Sequence, residues 1–392
     1  MTQPPIAVVG AGIGGLTAAL ALNKRGFAVT VYEQTATLGE IGAGLHLSPN
    51  GMKVMRALDL EGELEAVAAR PQAISTRDYV TGIPNFEGPL DAAFVARFGA
   101  PFFSFHRADL HAVLTAAAIR AKDITIFLDH RLTSVESDTD GVRLCFTDER
   151  EIAVNCVIGA DGVHSAVRES MHGALGTRFT GHVAYRGMVA RNDLAPDMVE
   201  EKLNIWVGPG KHVVAYPVRR GELINYVALL EEDGWDDESW TTRADAGQLA
   251  ATFEDWNETV RALVAHTLSG ECYKWALLGR DPLSTWSGPR TTLLGDAAHP
   301  MVPYLAQGAV MAIEDAWALA ACLATEADCP SALKRYESAR IERTTAVQAA
   351  AWEQGQLNHA VGRDASGDNF RGGGFADPAW IYAYDVVEMF PL

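Results

Sequence analysis

The sequence predicts an α/β fold: a Rossmann-like domain carrying an inserted β-sheet domain, with helices towards its C-terminal end. Three observations predict it. The apolar run Ile6-Ala7-Val8-Val9 leads through a glycine cluster into helical spacing over 16–24, then into a second apolar run over 27–32 that stops at Glu33. That is the order of a βαβ opening. From about residue 181 to 230 the text changes to alternating, β-rich segments, the signature of a sheet with one covered face. Beyond it, a short apolar run at 291–294 feeds a strongly helical stretch over 308–323.

The remaining elements follow in chain order. Glycine-rich 40–49 predicts a loop, 50–60 a helix, and His106-Arg107-Ala108-Asp109-Leu110 opens a helix that runs to 120. Strands are expected at 124–128, 142–146 and 155–158, the last ending in Gly159-Ala160-Asp161-Gly162. Inside the insert they fall at 183–189, 203–207, 212–218 and 223–230, followed by helical text over 246–267. A final helix is expected over 330–356, and glycine-rich 362–374 as a mobile or surface-wrapped segment. The domain division is then 1–75, 100–180 and 285–360 for the nucleotide-binding part, 76–99 and 181–284 for the sheet domain, and 361–392 for a tail.

Bulk properties narrow the class. The chain has 392 residues, 48% hydrophobic and 21% charged, enough for a substantial core in a globular protein. A net charge of −18 argues against nucleic acid and anionic membrane as partners, because both need a basic surface. A small anionic substrate needs only local positive groups and stays open. Cys145, Cys156, Cys272, Cys322 and Cys329 have no CxxC spacing, so neither a disulfide framework nor a zinc site is expected. The histidines and acidic residues likewise show no metal-ligand spacing. No apolar run approaches the roughly 20 residues of a membrane span, and the first strand pattern starts too early to follow a signal peptide. A cytoplasmic protein is expected, monomeric or homodimeric.

Gly10-x-Gly12-x-x-Gly15, with Gly14 inside it, sits between strand and helix. Glycines allow a tight turn and close backbone approach to a pyrophosphate, whose charge the helix N-terminus favours. Glu33, at the end of the next strand, is placed for ribose hydroxyls. A dinucleotide is implied, and NAD alone remains open at this step. Asp161-Gly162 and Gly295-Asp296 each leave a further strand, and singly each reads as a strand-end turn.

In this order the three turns resemble the class A flavoprotein monooxygenases, single-component aromatic hydroxylases of the para-hydroxybenzoate hydroxylase fold. Pro303 and the Gln307-Gly308 pair beyond Gly295-Asp296 add to the resemblance, which covers nearly the whole chain. It implies FAD as cofactor, NADH or NADPH as co-substrate, and O₂ reacting through a flavin C4a-hydroperoxide. Asp296 would bond the ribityl chain, Asp161 and Gly162 would lie near the pyrophosphate, and Arg107 would contact the cofactor. Gln307, Gly308 and Ala309 would border the pyrimidine edge, where helix-start amides stabilise charge on the reduced ring. One departure stands out: many relatives carry Pro-x-x-Gly-Gln-Gly, whereas this chain has Ala306 before Gln307.

Within the family the chain is most similar to salicylate hydroxylase-like and 6-hydroxynicotinate 3-monooxygenase-like members. The text that carries this is 42–50, Tyr304-Leu305-Ala306-Gln307-Gly308, and Asp377-Pro378-Ala379-Trp380-Ile381-Tyr382. A hydroxylated aromatic or heteroaromatic acid is the implied substrate, with loss of CO₂ if the attacked carbon bears the carboxylate. Hydroxylation of the 3-hydroxybenzoate type without decarboxylation stays open, as does a flavin reductase or dehydrogenase on the same fold. Ring activation needs a proton acceptor at a phenol or pyridone oxygen. His46, and His212 with Tyr216 four residues on in one strand, are the catalytic candidates. Arg186 is expected either to pair with a substrate carboxylate or to stabilise the sheet, and Pro303 to border the substrate. His299 is expected to fix the turn at Gly295.

Overall fold

The computed structural model describes residues 6–39, 43–137, 141–232, 234, 242–269, 272–360, 362–363, 370–371 and 377–392. Its first layer is a five-stranded parallel sheet in the order Thr291–Leu293, Val157–Gly159, Ile6–Val9, Val29–Tyr32, Ile124–Phe127. The central strand Ile6–Val9 is buried along its length, as a parallel strand covered on both faces must be. Helix Ile13–Lys24 leaves it through the glycine turn and packs beside helix Gly308–Thr325. The two approach closely because Gly14 has no side chain: a Cβ there would sit 2.8 Å from Leu294 and 3.1 Å from Ala312.

The second layer is a seven-stranded sheet in the order Tyr273–Gly279, Arg178–Ala190, Leu223–Glu231, Lys211–Val218, Leu203–Gly208, Ala73–Asp78, Pro84–Pro89. The four expected inner strands are all present. Tyr273–Gly279 and the pair Ala73–Asp78 and Pro84–Pro89 extend the sheet on either side. Alternation then divides its two faces. Val213, Ala215, Ile224, Tyr226 and Ala228 face helices Ala246–Ala251 and Glu258–Ala265 and form a core of their own. His212, Val214, Tyr216, Val227 and Leu229 face the first layer.

Several expectations shift. The loop over 40–49 contains a strand, Gly44–Leu47, paired antiparallel with Phe103–His106; main-chain pairing across a long sequence gap overrides local glycine content. The helical text at 246–267 is two helices, because Asn257 caps the second through the Thr259 amide at 3.0 Å. The boundaries drawn at 75 and 180 fall inside the strands Ala73–Asp78 and Arg178–Ala190.

The segment called a tail returns to the body. Helices Ala379–Tyr382 and Val386–Met389 bury Ile381, Tyr382 and Val386, and Trp317 donates its indole N–H to the Phe390 carbonyl at 2.9 Å. Of the glycine-rich 362–374, only the short paired strands Gly362–Arg363 and Phe370–Arg371 are described; the rest of that expectation lies outside the described residues.

Helix Gly308–Thr325 is apolar and long enough to cross a membrane by composition, yet it is a core helix. It carries Glu314 and Asp315, both fully buried and paired with Arg340 and Arg343. His299 bonds Asp315 at 2.6 Å and its own amide donates to the Gly295 carbonyl at 2.8 Å. Burial works to raise the Asp315 carboxyl, but the His299 and Arg340 charges outweigh it and hold it below its ordinary value. The network clamps the Gly295 turn, as expected of His299.

Candidate active site

A cleft of about 630 Å³ opens at the C-terminal ends of the parallel strands, lined by Gly10, Gly12, Tyr32, Glu33, Asp161 and Gly162 among others. This is where open α/β sheets take their ligands. The glycines divide the work. Gly10 has φ +100°, and a Cβ there would lie 2.5 Å from the Ala160 carbonyl. A Cβ on Gly15 would lie 1.9 Å from the Gly10 carbonyl, so only glycine lets the helix start against the turn. Gly12 faces open space, with nothing within 4 Å of an added Cβ; it borders the cleft itself. A cradle closed by backbone at Gly10 and Gly15 and left open at Gly12 fits a pyrophosphate.

Glu33 accepts from the Ala11 amide at 2.8 Å and the Thr35 amide at 2.9 Å. Its carboxylate thus ties the second strand to the glycine turn while bordering the cleft, where ribose hydroxyls can reach it. Asp161 accepts from Ser165 Oγ at 2.5 Å and the Val167 amide at 3.2 Å. Burial raises its carboxyl above the ordinary range against those bonds. It starts the following helix as much as it lines the cleft.

A second cavity of about 290 Å³ lies between the two layers. Val163 and His164 line both cavities. On one side are Arg107, Asp296, Pro303, Gln307, Gly308 and Ala309; on the other, the seven-stranded sheet. Asp296 opens into the cavity although protein surrounds it, and that burial raises its carboxyl, with the His299 and Arg107 charges opposing. Gly295 adopts φ +61°, and its amide donates to Asp315 at 3.2 Å. The Gln307 side chain is spent on the protein, donating to Ser48 Oγ at 3.0 Å and accepting from Asn50 at 3.2 Å. Gln307, Gly308 and Ala309 border the cavity together.

Ala306 gives the family's missing glycine a physical meaning. It has φ +53° and ψ +36°, the left-handed region that costs an L-residue roughly 1–2 kcal/mol.

The sheet side brings the three catalytic candidates and Arg186 to one wall. His46 and Tyr216 lie ring to ring at 4.1 Å, and His46 Nδ1 is bonded to Ser104 Oγ at 2.9 Å. Gly44 makes that approach feasible: a Cβ there would be 2.5 Å from the Tyr216 hydroxyl and 2.6 Å from Asn225, and its amide donates to Asn225 at 2.9 Å. Burial lowers His46 to about 3 and raises the Tyr216 phenol, the Arg186 charge opposing the latter. His212 is likewise held well below its ordinary value by burial, then by His359 and His182. The wall therefore offers neutral imidazoles and a protonated phenol near neutral pH. Arg186 is buried and stacks over Tyr273 at 4.8 Å and Trp275 at 5.5 Å.

The sequence reading did not single out Asn225, Trp275, Tyr304 or Tyr382, all close to this wall or lining the cavity. Asn225 and Trp275 sit in strands with no motif around them. Tyr304 was part of a quoted loop, and its distance from Asp296 gave no sign that it faces the sheet.

A dinucleotide cleft joined to an apolar cavity with proton-handling groups defines a flavin-dependent oxidoreductase. The chain belongs to the FAD binding domain family, which matches residues 3–351. It is an FAD-dependent aromatic hydroxylase. It is 39% identical over 398 residues to 3-amino-4-hydroxybenzoate 2-monooxygenase of Streptomyces platensis, covering 99% of this chain and 98% of that one. To 6-hydroxynicotinate 3-monooxygenase of Bordetella bronchiseptica it is 38% identical, covering 98% and 96%. A salicylate hydroxylase in complex with substrate superposes with a TM-score of 0.81 at 25% identity, covering 99% of this chain and 97% of that one.

Proposed function

We propose that this enzyme hydroxylates a single-ring aromatic or heteroaromatic acid bearing a ring hydroxyl, using NADH or NADPH and O₂. The observation that carries the reading is the single wall formed by His46, Tyr216, His212 and Arg186 opposite the Asp296–Ala309 side of the cavity. The relatives' printed activities, on 3-amino-4-hydroxybenzoate and 6-hydroxynicotinate, support the same substrate class.

Gly10, Gly12, Gly14 and Gly15 would hold the pyrophosphate end of FAD directly or by letting the helix pack, and Glu33 would hold the ribose. Asp161 and Gly162 border the same cleft. Asp296 would accept from ribityl hydroxyls, and Arg107, Gly295, Gln307, Gly308 and Ala309 would frame the ring. Bound there, FAD would supply the redox chemistry, taking electrons from NAD(P)H and delivering one oxygen atom of O₂ to an electron-rich ring.

The protein's own part is to hold that ring and keep it electron-rich. Arg186 pairs with the substrate carboxylate, and stacking on Tyr273 and Trp275 fixes its guanidinium plane. Tyr216 bonds the ring hydroxyl, and His46 or His212, unprotonated, accepts the proton that hydroxyl must shed. Leu203, Ile205, Val214 and Leu229 exclude water from the reacting face. Five free thiols among the described residues and the need for NAD(P)H fit a cytoplasmic site of action.

The test is NADH- and NADPH-driven flavin reduction with salicylate, 3-hydroxybenzoate, 6-hydroxynicotinate and 3-amino-4-hydroxybenzoate, reading product mass and CO₂. At least one acid should accelerate reduction and appear as a product one oxygen heavier, or with oxygen replacing CO₂. Reduction that no acid accelerates, or oxidation that releases only peroxide, would leave the reductase reading in its place.

A further inference from the structure

Behind the substrate wall lies a cluster that the hydroxylase chemistry does not require. His182 and Glu231 face each other across the ladder between Arg178–Ala190 and Leu223–Glu231. His359, the last residue of helix Cys329–His359, comes down on the pair, its carbonyl held by the Gly210 amide at 3.2 Å. One nitrogen from each histidine and one Glu231 oxygen lie within 4.8 Å of one another. His359 Nδ1 is already 3.2 Å from Glu231 Oε1. Ligands around a tetrahedral zinc ion are roughly 3.3 Å apart, so an ion needs side-chain movements on the order of an ångström.

We propose that His182, Glu231 and His359 form a binding site for a divalent cation of the zinc class, with solvent as the fourth ligand. Two nitrogens and a carboxylate are a ligand set such ions take, and a three-ligand set leaves one position open. The second nitrogen of each histidine is also engaged as a metal-bound imidazole requires. His182 Nδ1 bonds the Tyr304 hydroxyl at 2.5 Å, leaving Nε2 for the ion. His359 Nε2 bonds His212 Nδ1 at 2.9 Å, leaving Nδ1. Burial lowers both imidazoles, His359 to about 4, so neither must shed a proton at neutral pH to bind. Strand, strand and helix terminus supply the three groups, and sites on such elements are held more firmly than sites on loops.

Both outer partners, Tyr304 and His212, line the substrate cavity, so occupancy reaches the pocket. Without an ion, His359 donates Nδ1–H to the Glu231 carboxylate, its Nε2 is a lone pair, and His212 must carry Nδ1–H. With an ion on Nδ1, His359 carries Nε2–H and donates to His212, whose proton then sits on Nε2. The ion thus turns His212 Nε2, which faces the Asn358 side-chain amide at 3.5 Å, from an acceptor into a donor.

The test uses the full FAD-loaded chain free of any affinity tag. Calorimetric titration with zinc chloride should give one site per chain, and one equivalent of cobalt(II) the visible spectrum of a tetrahedral ion. Glu231→Gln changes an exposed side chain outside the cofactor and substrate sites; it should keep its flavin and weaken zinc at least tenfold. His182→Gln should do the same, and His266→Gln, altering an exposed histidine elsewhere, should change nothing. Long-range spectra of ¹⁵N-histidine-labelled protein should show His212 moving from the Nδ1–H to the Nε2–H form on zinc addition. Absence of binding, or binding that Glu231→Gln leaves intact, overturns the site; an unmoved His212 overturns its link to the cavity.

Discussion

The cofactor cleft and the substrate wall are built on opposite plans. The cleft is mostly backbone: Gly10, Gly12 and Gly15 stand within six residues, and their missing side chains make the shape. The wall is side chains: His46, Arg186 and the pair His212 and Tyr216 arrive from three strands whose meeting depends on two layers packing. Where backbone closes on Gly10 and Gly15 no added atom is tolerated, whereas a side-chain site tolerates substitution at the cost of chemistry alone. The two should therefore fail differently.

The largest contrast is expected within the glycine turn. Gly15→Ala drives a Cβ into the Gly10 carbonyl at 1.9 Å, so it should cost about 3 kcal/mol of stability and abolish flavin retention. Gly12→Ala has open space; its flavin-free form should melt normally while FAD affinity falls about tenfold or more. Thermal unfolding with flavin content separates the two, and equal melting of both variants would break the comparison.

On the wall, Tyr216→Phe keeps the ring packing and removes the hydroxyl. It should lower kcat/KM for the accepted acid by about a hundredfold with flavin content unchanged. Flavin loss in this variant would mean that the two regions are not independent. Between them, Asp296→Ala should weaken FAD by about ten- to hundredfold, the worth of charged hydrogen bonds at roughly 1.5–3 kcal/mol, read by fluorescence on flavin release.

His46 supplies a pH test. Its folded-state value is about 3 against an ordinary 6.5, so between those values the unfolded chain binds the proton and the folded chain does not. Its contribution is whole above pH 6.5 and is lost as the pH falls towards 3. In the flavin-free protein, His46→Gln should flatten the stability profile over that window by up to about 1.4 kcal/mol per pH unit, measured by denaturant unfolding. An unchanged slope would mean His46 is protonated in the folded state. The smallest effect is Ala306→Gly, which relieves φ +53° and should raise stability by about 0.5–1 kcal/mol.

The legible parts share one property: their signal is local. Gly10–Gly15, Glu33 and Gly295-Asp296 each lie at the end of a single strand, where periodicity and glycine spacing report the backbone directly. Tyr216 and His212 were partly legible because residues four apart in a strand share a face, though the sequence did not say which face. The strand Gly44–Leu47 was not legible, since it exists only by pairing with Phe103–His106. The return of Ile381 and Tyr382 to the core was hidden for the same reason.

By itself the sequence determined the cofactor end, the order of the elements and the class of chemistry, because those follow from contacts between near neighbours in the chain. Only the tertiary structure decided that His46 rests on Tyr216, that Arg186 stacks on Tyr273 and Trp275, and that His182, Glu231 and His359 meet behind them. Those groups are separated by tens to hundreds of residues, and burial between two packed layers, rather than any local pattern, fixes their distances and their protonation.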